Sequence, residues 1–212
     1  MSRNALPRDP AATGRARLVP VIGILVVDDH PAVRAGLAGL LRSEPGLACL
    51  ATADTAAAGL EAARRLEPAV VLVDYGLPDH DGLTLCSDLK ALSNPPRVLV
   101  YSAFARPRLV PAAAVAGADA MMDKRAPAEE LFETIRRVAR GAGQLPDPPR
   151  EVIERSFAWL GPEEIVLLGM AINGARPDEI AAASKTHLDD TRRQLRTLLG
   201  RLQGGSVDQE AV

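Results

Sequence analysis

From Val21 to about residue 141 the chain alternates short apolar runs with longer stretches of helical spacing, and it does so five times. The runs at 22–27, 47–52, 70–73, 97–101 and 118–122 are too continuously apolar to keep a solvent face. They read as strands buried on both sides. The stretches at about 31–43, 55–66, 82–92, 106–116 and 127–140 place apolar residues at helical intervals. Repeats of strand then helix build a parallel sheet covered by helices. Aromatic residues make up only 3% of the chain, so the core must come from Val, Leu, Ile and Ala, which suits helices packed on a sheet.

Gly141, Gly143, Pro146, Pro148 and Pro149 then break the pattern, and so dense a cluster of Gly and Pro reads as a linker. Residues 150–157 add a helical turn or more. Helices are expected at 162–173, 177–183 and 188–202, with Gly204 and Gly205 ending the last. The 212 residues thus divide into a disordered tail (1–19), an α/β domain (20–141), a linker (142–158), a small all-α unit (159–203) and a second disordered tail (204–212). A net charge of -2 excludes a polybasic chain and leaves nucleic acid neither favoured nor disfavoured. Cys49 and Cys86 lie in apolar segments, where free buried thiols are the ordinary state. The Arg-bearing start of the chain has no apolar core of signal-peptide length, and no stretch approaches the ~20 apolar residues of a membrane span. A cytoplasmic protein without membrane association is expected.

In an open parallel sheet, polar groups at the carboxyl ends of the strands converge on one crevice. Asp28 and Asp29 end the first strand, Asp74 ends the third, Ser102 follows the fourth and Lys124 follows the fifth. Three carboxylates gathered together repel one another and call for a cation. With no Cys or His at ligand spacing, the donors favour a hard ion, and Mg²⁺ bridges carboxylate to phosphate. Lys124 and Ser102 add a fixed cation and a hydroxyl for phosphoryl oxygens, and Asp74 is the nucleophile that forms an aspartyl phosphate. No other nucleophile and base pair or cofactor loop is evident, so a metabolic enzyme is not expected.

The motifs VVDDHPAVRAGLAGLL at 26–41, VLVDYGLPDHDG at 71–82, VLVYSA at 98–103 and GADAMMDK at 117–124 resemble response-regulator receiver domains, more narrowly those of the NarL/LuxR type. The resemblance implies a five-stranded, parallel, doubly wound, flavodoxin-like domain. It also implies that Asp74 is the phosphoacceptor, and that Asp28, Asp29 and Asp74 bind Mg²⁺ with the backbone carbonyl of Gly76. Ser102 and Lys124 would then read the phosphoryl group. His30 is expected to cap the helix that follows the first strand. One position departs from the pattern. Family members usually carry an aromatic three residues before the lysine, where this chain has Met121, and Phe104 is a candidate to take part in its place.

Residues 160–202 show helix-turn-helix spacing and resemble a LuxR-type DNA-binding domain, with Leu160, Pro162, Glu164, Gly174, Glu179, Ile180 and Ala181 on the family pattern. The final helix departs from it. Asp189 and Asp190 stand at its start, where they favour the helix dipole yet would face phosphates in a groove. Arg192, Arg193 and Arg196 remain as DNA contacts. Leu188, Leu195, Leu198, Leu199 and Leu202 form a stripe that packs on its neighbours and extends toward a homodimer seam. The resemblance therefore implies a two-component response regulator, phosphorylated on Asp74 by a partner histidine kinase and acting on DNA as a transcriptional regulator. The alternative is a signalling protein whose degenerate module mediates dimerisation or protein contacts.

Overall fold

The computed structural model describes residues 21–103 and 107–207, so the tail 1–19 and Phe104 lie outside the described residues. Its strands are β1 (Ile22–Val27), β2 (Leu47–Ala53), β3 (Val70–Val73), β4 (Arg97–Ser102) and β5 (Ala120–Asp123). All pair in parallel, in the order β2-β1-β3-β4-β5. After β1 the chain moves to one side for β2 and then returns to the other for β3. The carboxyl ends of β1 and β3 therefore flank the point where the winding reverses.

The helices of this part are α1 (Pro31–Ser43), α2 (Ala56–Leu66), α3 (Gly82–Lys90), α4 (Val110–Val115) and α5 (Ala128–Ala139). Strand residues alternate between two cores, as the two-residue period requires. Ile24, Val26, Leu72 and Leu99 pack with Leu41 of α1 and Leu131 and Ile135 of α5. On the other face, Leu25, Val27, Val73 and Val100 pack with Ala63, Leu83, Leu89 and Ala113 of α2 to α4. Strand ends differ from expectation by one or two residues. The fourth helix differs more: a 3₁₀ turn at Pro107–Leu109 precedes only six residues of α4, because Pro111 has no N–H to extend a helix begun earlier.

The linker leads into α6 (Arg150–Phe157), then α7 (Pro162–Ile172), α8 (Pro177–Ser184) and α9 (Leu188–Val207). Each helix start is built locally. Glu164 reaches back to the Gly161 N–H and Glu179 to the Arg176 N–H, both at 2.8 Å. The turn between α8 and α9 is fixed by a 2.7 Å hydrogen bond between the hydroxyls of Thr186 and the fully buried Thr191. Gly204 and Gly205 do not end α9, which runs on to Val207. Glycine weakens a helix interior by about 1 kcal/mol but does not remove a donor, so an established helix can pass through it.

The two parts share one core. α4 packs against both α7 and α9, and all six of its residues are buried. Leu160, Leu168, Ile180, Leu195, Leu198, Leu199 and Leu202 join the same apolar cluster as Ala112 to Ala116. The leucine stripe of α9 is thus absorbed within the chain, and in this arrangement it is not available as a homodimer seam. Both cysteines are free, and burial pushes the Cys86 thiol up to about 12. No described helix is long and apolar enough to cross a membrane.

Candidate functional site

The sheet brings the acids together through its own hydrogen bonds. The Asp28 N–H donates to the Ala53 carbonyl at 3.0 Å and the Asp74 N–H to the Val27 carbonyl at 2.8 Å, so both carboxylates leave the sheet at the same level. Lys124, just past β5, reaches them: its Nζ donates to Asp28 Oδ2 at 2.5 Å and to Asp74 Oδ2 at 2.7 Å. Burial works against the Lys124 charge, but hydrogen bonds to Asp28 and Asp74 outweigh it and hold the ammonium above its ordinary value. Asp28 and Asp74 are both nearly buried, at 2% and 6% exposure, which a lone pair of carboxylates could not sustain without a counter-charge. Ser102 is buried at the end of β4, and its carbonyl accepts the Lys124 N–H at 3.1 Å. Asp28, Asp74, Ser102 and Lys124 therefore share one crevice, and Asp29 joins the two acids there.

The donor set is three carboxylates and an imidazole. One ligand atom each from Asp28, Asp29, His30 and Asp74 falls within 4.8 Å of the others. Asp29 Oδ1 is buried without a hydrogen-bond partner, and His30 Nδ1 lies 2.5 Å away, outside hydrogen-bond geometry. The carboxylate oxygens of Asp28, Asp29 and Asp74 converge closely enough to hold a divalent cation, with His30 Nδ1 beside Asp29 as a nitrogen donor that the expected all-oxygen set did not include. His30 stands where a cap residue is expected, between β1 and α1. His30 occupies the N-cap position of α1, but its side chain makes no capping bond; its backbone N–H donates instead to Asp28 Oδ1 at 2.9 Å.

Other residues of the crevice were not singled out from the sequence. The Tyr101 hydroxyl donates to the Lys124 carbonyl at 3.2 Å, tying β4 to the lysine. Asp81 Oδ1 caps α3 by accepting from Leu83 N–H and Thr84 N–H at 2.9 and 3.0 Å. The Asp-Gly pair just before an apolar helical stretch is a legible N-cap signal. Met121 is half-buried against the α2–α4 core and provides no ring.

The proposed DNA contacts lie elsewhere, on α9. Arg192 Nη1 is 3.9 Å from Asp189 Oδ1, and Arg193 Nη2 is 3.2 Å from Asp190 Oδ1, so each acid at the helix start is matched by an arginine one turn on. Arg196 donates across to Asp88 of α3 at 2.6 Å, and Gln203 donates to Asp81 at 2.6 Å. Arg192 also lines a cleft of about 910 Å³ between the two parts of the chain.

Residues 24–136 match the response regulator receiver domain. The chain belongs to the response regulator family. A putative transcriptional regulator of Pseudomonas aeruginosa is 30% identical over 166 residues, covering 74% of this chain and 80% of that protein. The nitrate/nitrite response regulator NarL of Escherichia coli K12 is 29% identical over 134 residues, which cover 63% of this chain and 62% of NarL. Among solved structures, a LuxR-family two-component response regulator from Aurantimonas superposes with a TM-score of 0.57 at 27% identity, covering 65% of this chain and 99% of that one. This response regulator is accordingly of the NarL/LuxR type, a five-stranded parallel receiver followed by a helical C-terminal region.

Proposed function

We propose that this response regulator takes a phosphoryl group onto Asp74 from a partner histidine kinase, and that the transfer frees its C-terminal module to bind DNA as a transcriptional regulator. The observation that best supports the reading is the Lys124 ammonium spanning Asp28 and Asp74 at 2.5 and 2.7 Å, at the carboxyl ends of β1 and β3. In the transfer, an Asp74 carboxylate oxygen forms the new P–O bond while the P–N bond to the kinase histidine breaks. The imidazole nitrogen keeps the electron pair and takes up a proton. Lys124 turns from Asp74 to the phosphoryl oxygens, and the Ser102 hydroxyl donates to another. Asp28, Asp29 and Asp74, with the Gly76 carbonyl, would hold Mg²⁺, which when bound offsets charge on the transferring oxygens.

Arg192, Arg193 and Arg196 are the proposed DNA contacts. The leucine face of α9 packs on α4 and Arg196 is bonded to Asp88, so a duplex that engages Arg192, Arg193 and Arg196 together competes with the docked arrangement. A phosphoryl group that binds better to the released arrangement shifts the population toward it, and a homodimer then matches paired half-sites. A second reading, in which the module serves protein contacts, is favoured by Asp189 and Asp190 lying beside two of the three arginines.

One set of samples tests both. Wild type and Asp74→Asn are treated with Mg²⁺ and acetyl phosphate, weighed by intact mass spectrometry, and run against duplex DNA over a range of salt. The expected result is one added phosphoryl group on wild type only, with salt-sensitive retention of DNA that follows it. Phosphorylation without DNA retention at low salt would leave the protein-contact reading, and equal modification of Asp74→Asn would remove Asp74 as acceptor.

A further inference from the structure

In the loop from the acceptor to α3, residues 75–81, Tyr75 and Leu77 pack against the α2–α4 core and Asp81 accepts from Gln203 of α9, and further hydrogen bonds hold its backbone. At its base the Gly82 N–H donates to the Tyr75 carbonyl at 2.8 Å. At its end Asp81 caps α3. At its tip Asp79 makes a contact that no local rule requires: its two carboxylate oxygens accept the N–H groups of Ala56 and Ala57 at 2.8 and 2.9 Å. These are the first two residues of α2, which already has a cap of its own, since Thr55 Oγ1 accepts from the Ala58 N–H at 3.2 Å. Asp79 thus takes the two helix donors that Thr55 leaves, from a different part of the chain. Burial works against its charge, but backbone hydrogen bonds, those from Ala57 and Ala56 foremost, together outweigh it and hold the carboxyl below the usual range, so the clamp stays ionised at neutral pH.

What the clamp restrains is the segment carrying Gly76. That residue is exposed, and nothing lies within 4 Å of where its Cβ would be. A glycine without side-chain packing has the largest conformational freedom of any residue, so its carbonyl can serve as a ligand only at an ordering cost unless the neighbouring chain is fixed. α2 provides a firm anchor, with Ala56, Ala62 and Ala63 buried and Gly59 packed closely on Val27. We propose that Asp79 is a positioning residue for phosphoryl transfer: by tying the loop tip to the start of α2, it presets the Gly76 carbonyl for the divalent cation beside Asp74. The inference rests on the reading of Asp74 and its acids as the phosphoryl site.

The test is a Mg²⁺ titration by calorimetry, paired with the rate of modification by acetyl phosphate as a function of Mg²⁺. The proteins are full-length wild type, Asp79→Ala, Asp79→Asn and Thr55→Ala. Asp79→Ala is expected to raise the Mg²⁺ half-saturation on the order of 10-fold, as loss of a supporting partner of a metal ligand does. Its rate at saturating Mg²⁺ should match wild type. Asp79→Asn keeps one acceptor oxygen and should recover part of the loss. Thr55→Ala weakens the same helix end without touching the loop, and should leave half-saturation unmoved. A shift in Thr55→Ala as large as in Asp79→Ala, or none in Asp79→Ala, would overturn the inference, because helix stability alone would then account for the data. No Mg²⁺ saturation in wild type would instead overturn the metal site itself, and this inference with it. Should Asp79→Ala not fold, the comparison of Asp79→Asn with Thr55→Ala decides in the same way.

Discussion

Gly82 shows how little room the crevice leaves. A Cβ placed there would lie 2.0 Å from the Asp74 carbonyl oxygen, and both partners are backbone, so neither can swing aside. Gly82→Ala must therefore displace either the acceptor strand end or the first turn of α3. A loss of about 3 kcal/mol is expected, at the upper end for overpacking, read from urea unfolding of the two proteins side by side. Stability within the error of wild type would mean that the loop 75–81 shifts freely, which would also weaken the case for Asp79. At this scale, the acids and the lysine were legible because each follows an apolar run with at most one residue between. Asp79 was not: its partners are 22 and 23 positions away, and a carboxylate in a Pro-Asp-His-Asp loop carries no sign of which helix it will meet. His30 stands at the cap position that its sequence context indicates, but its backbone N–H is taken by Asp28 and its side chain lies against Asp29, contacts that local sequence does not disclose.

Among the elements, the strands were the most legible because short, largely apolar runs bounded by turns have few other uses. The fourth helix was less so, since helical spacing in an Ala-rich segment does not reveal that Pro111 delays its start. α1 is a case in which element stability and packing separate cleanly. Gly36 and Gly39 lie on its exposed side with nothing within 4 Å of either added Cβ, so they contribute only the entropic weakness of glycine in a helix. Replacing both with Ala is expected to raise stability by about 1–2 kcal/mol, seen as a higher urea midpoint with an unchanged slope. A destabilised double variant would show that this face of α1 is packed in solution against something other than water.

For the whole molecule, the decisive question is what holds α9 on the receiver, and magnitudes separate two answers. The Arg196–Asp88 pair is 2.6 Å long but exposed on both sides, so it is worth about 0–1 kcal/mol. The apolar contact is larger: α4 is buried along its whole length, and its Ala114 lines the cleft together with Ala171 of α7 and Leu195 of α9. The sequence could not disclose this, because the alanines of α4 read equally well as a surface or as a seat for a second unit. Asp88→Ala should therefore raise DNA retention of the unphosphorylated protein by no more than about 5-fold, the equivalent of 1 kcal/mol. Ala114→Glu should act more strongly. A carboxylate there crowds the apolar contact with Ala171 and Leu195 while α7 and α9 are docked and is relieved when they leave, so the released arrangement gains about 1–3 kcal/mol over the docked one even with Arg192 lining the same cleft. Small-angle scattering should show a larger radius of gyration for Ala114→Glu without any phosphoryl donor, while Asp88→Ala stays near wild type. If Ala114→Glu instead remains compact and still accepts a phosphoryl group on Asp74, docking on α4 is not the arrangement that the switch acts upon, and control of α9 must lie in the loop joined to it through Asp81 and Gln203.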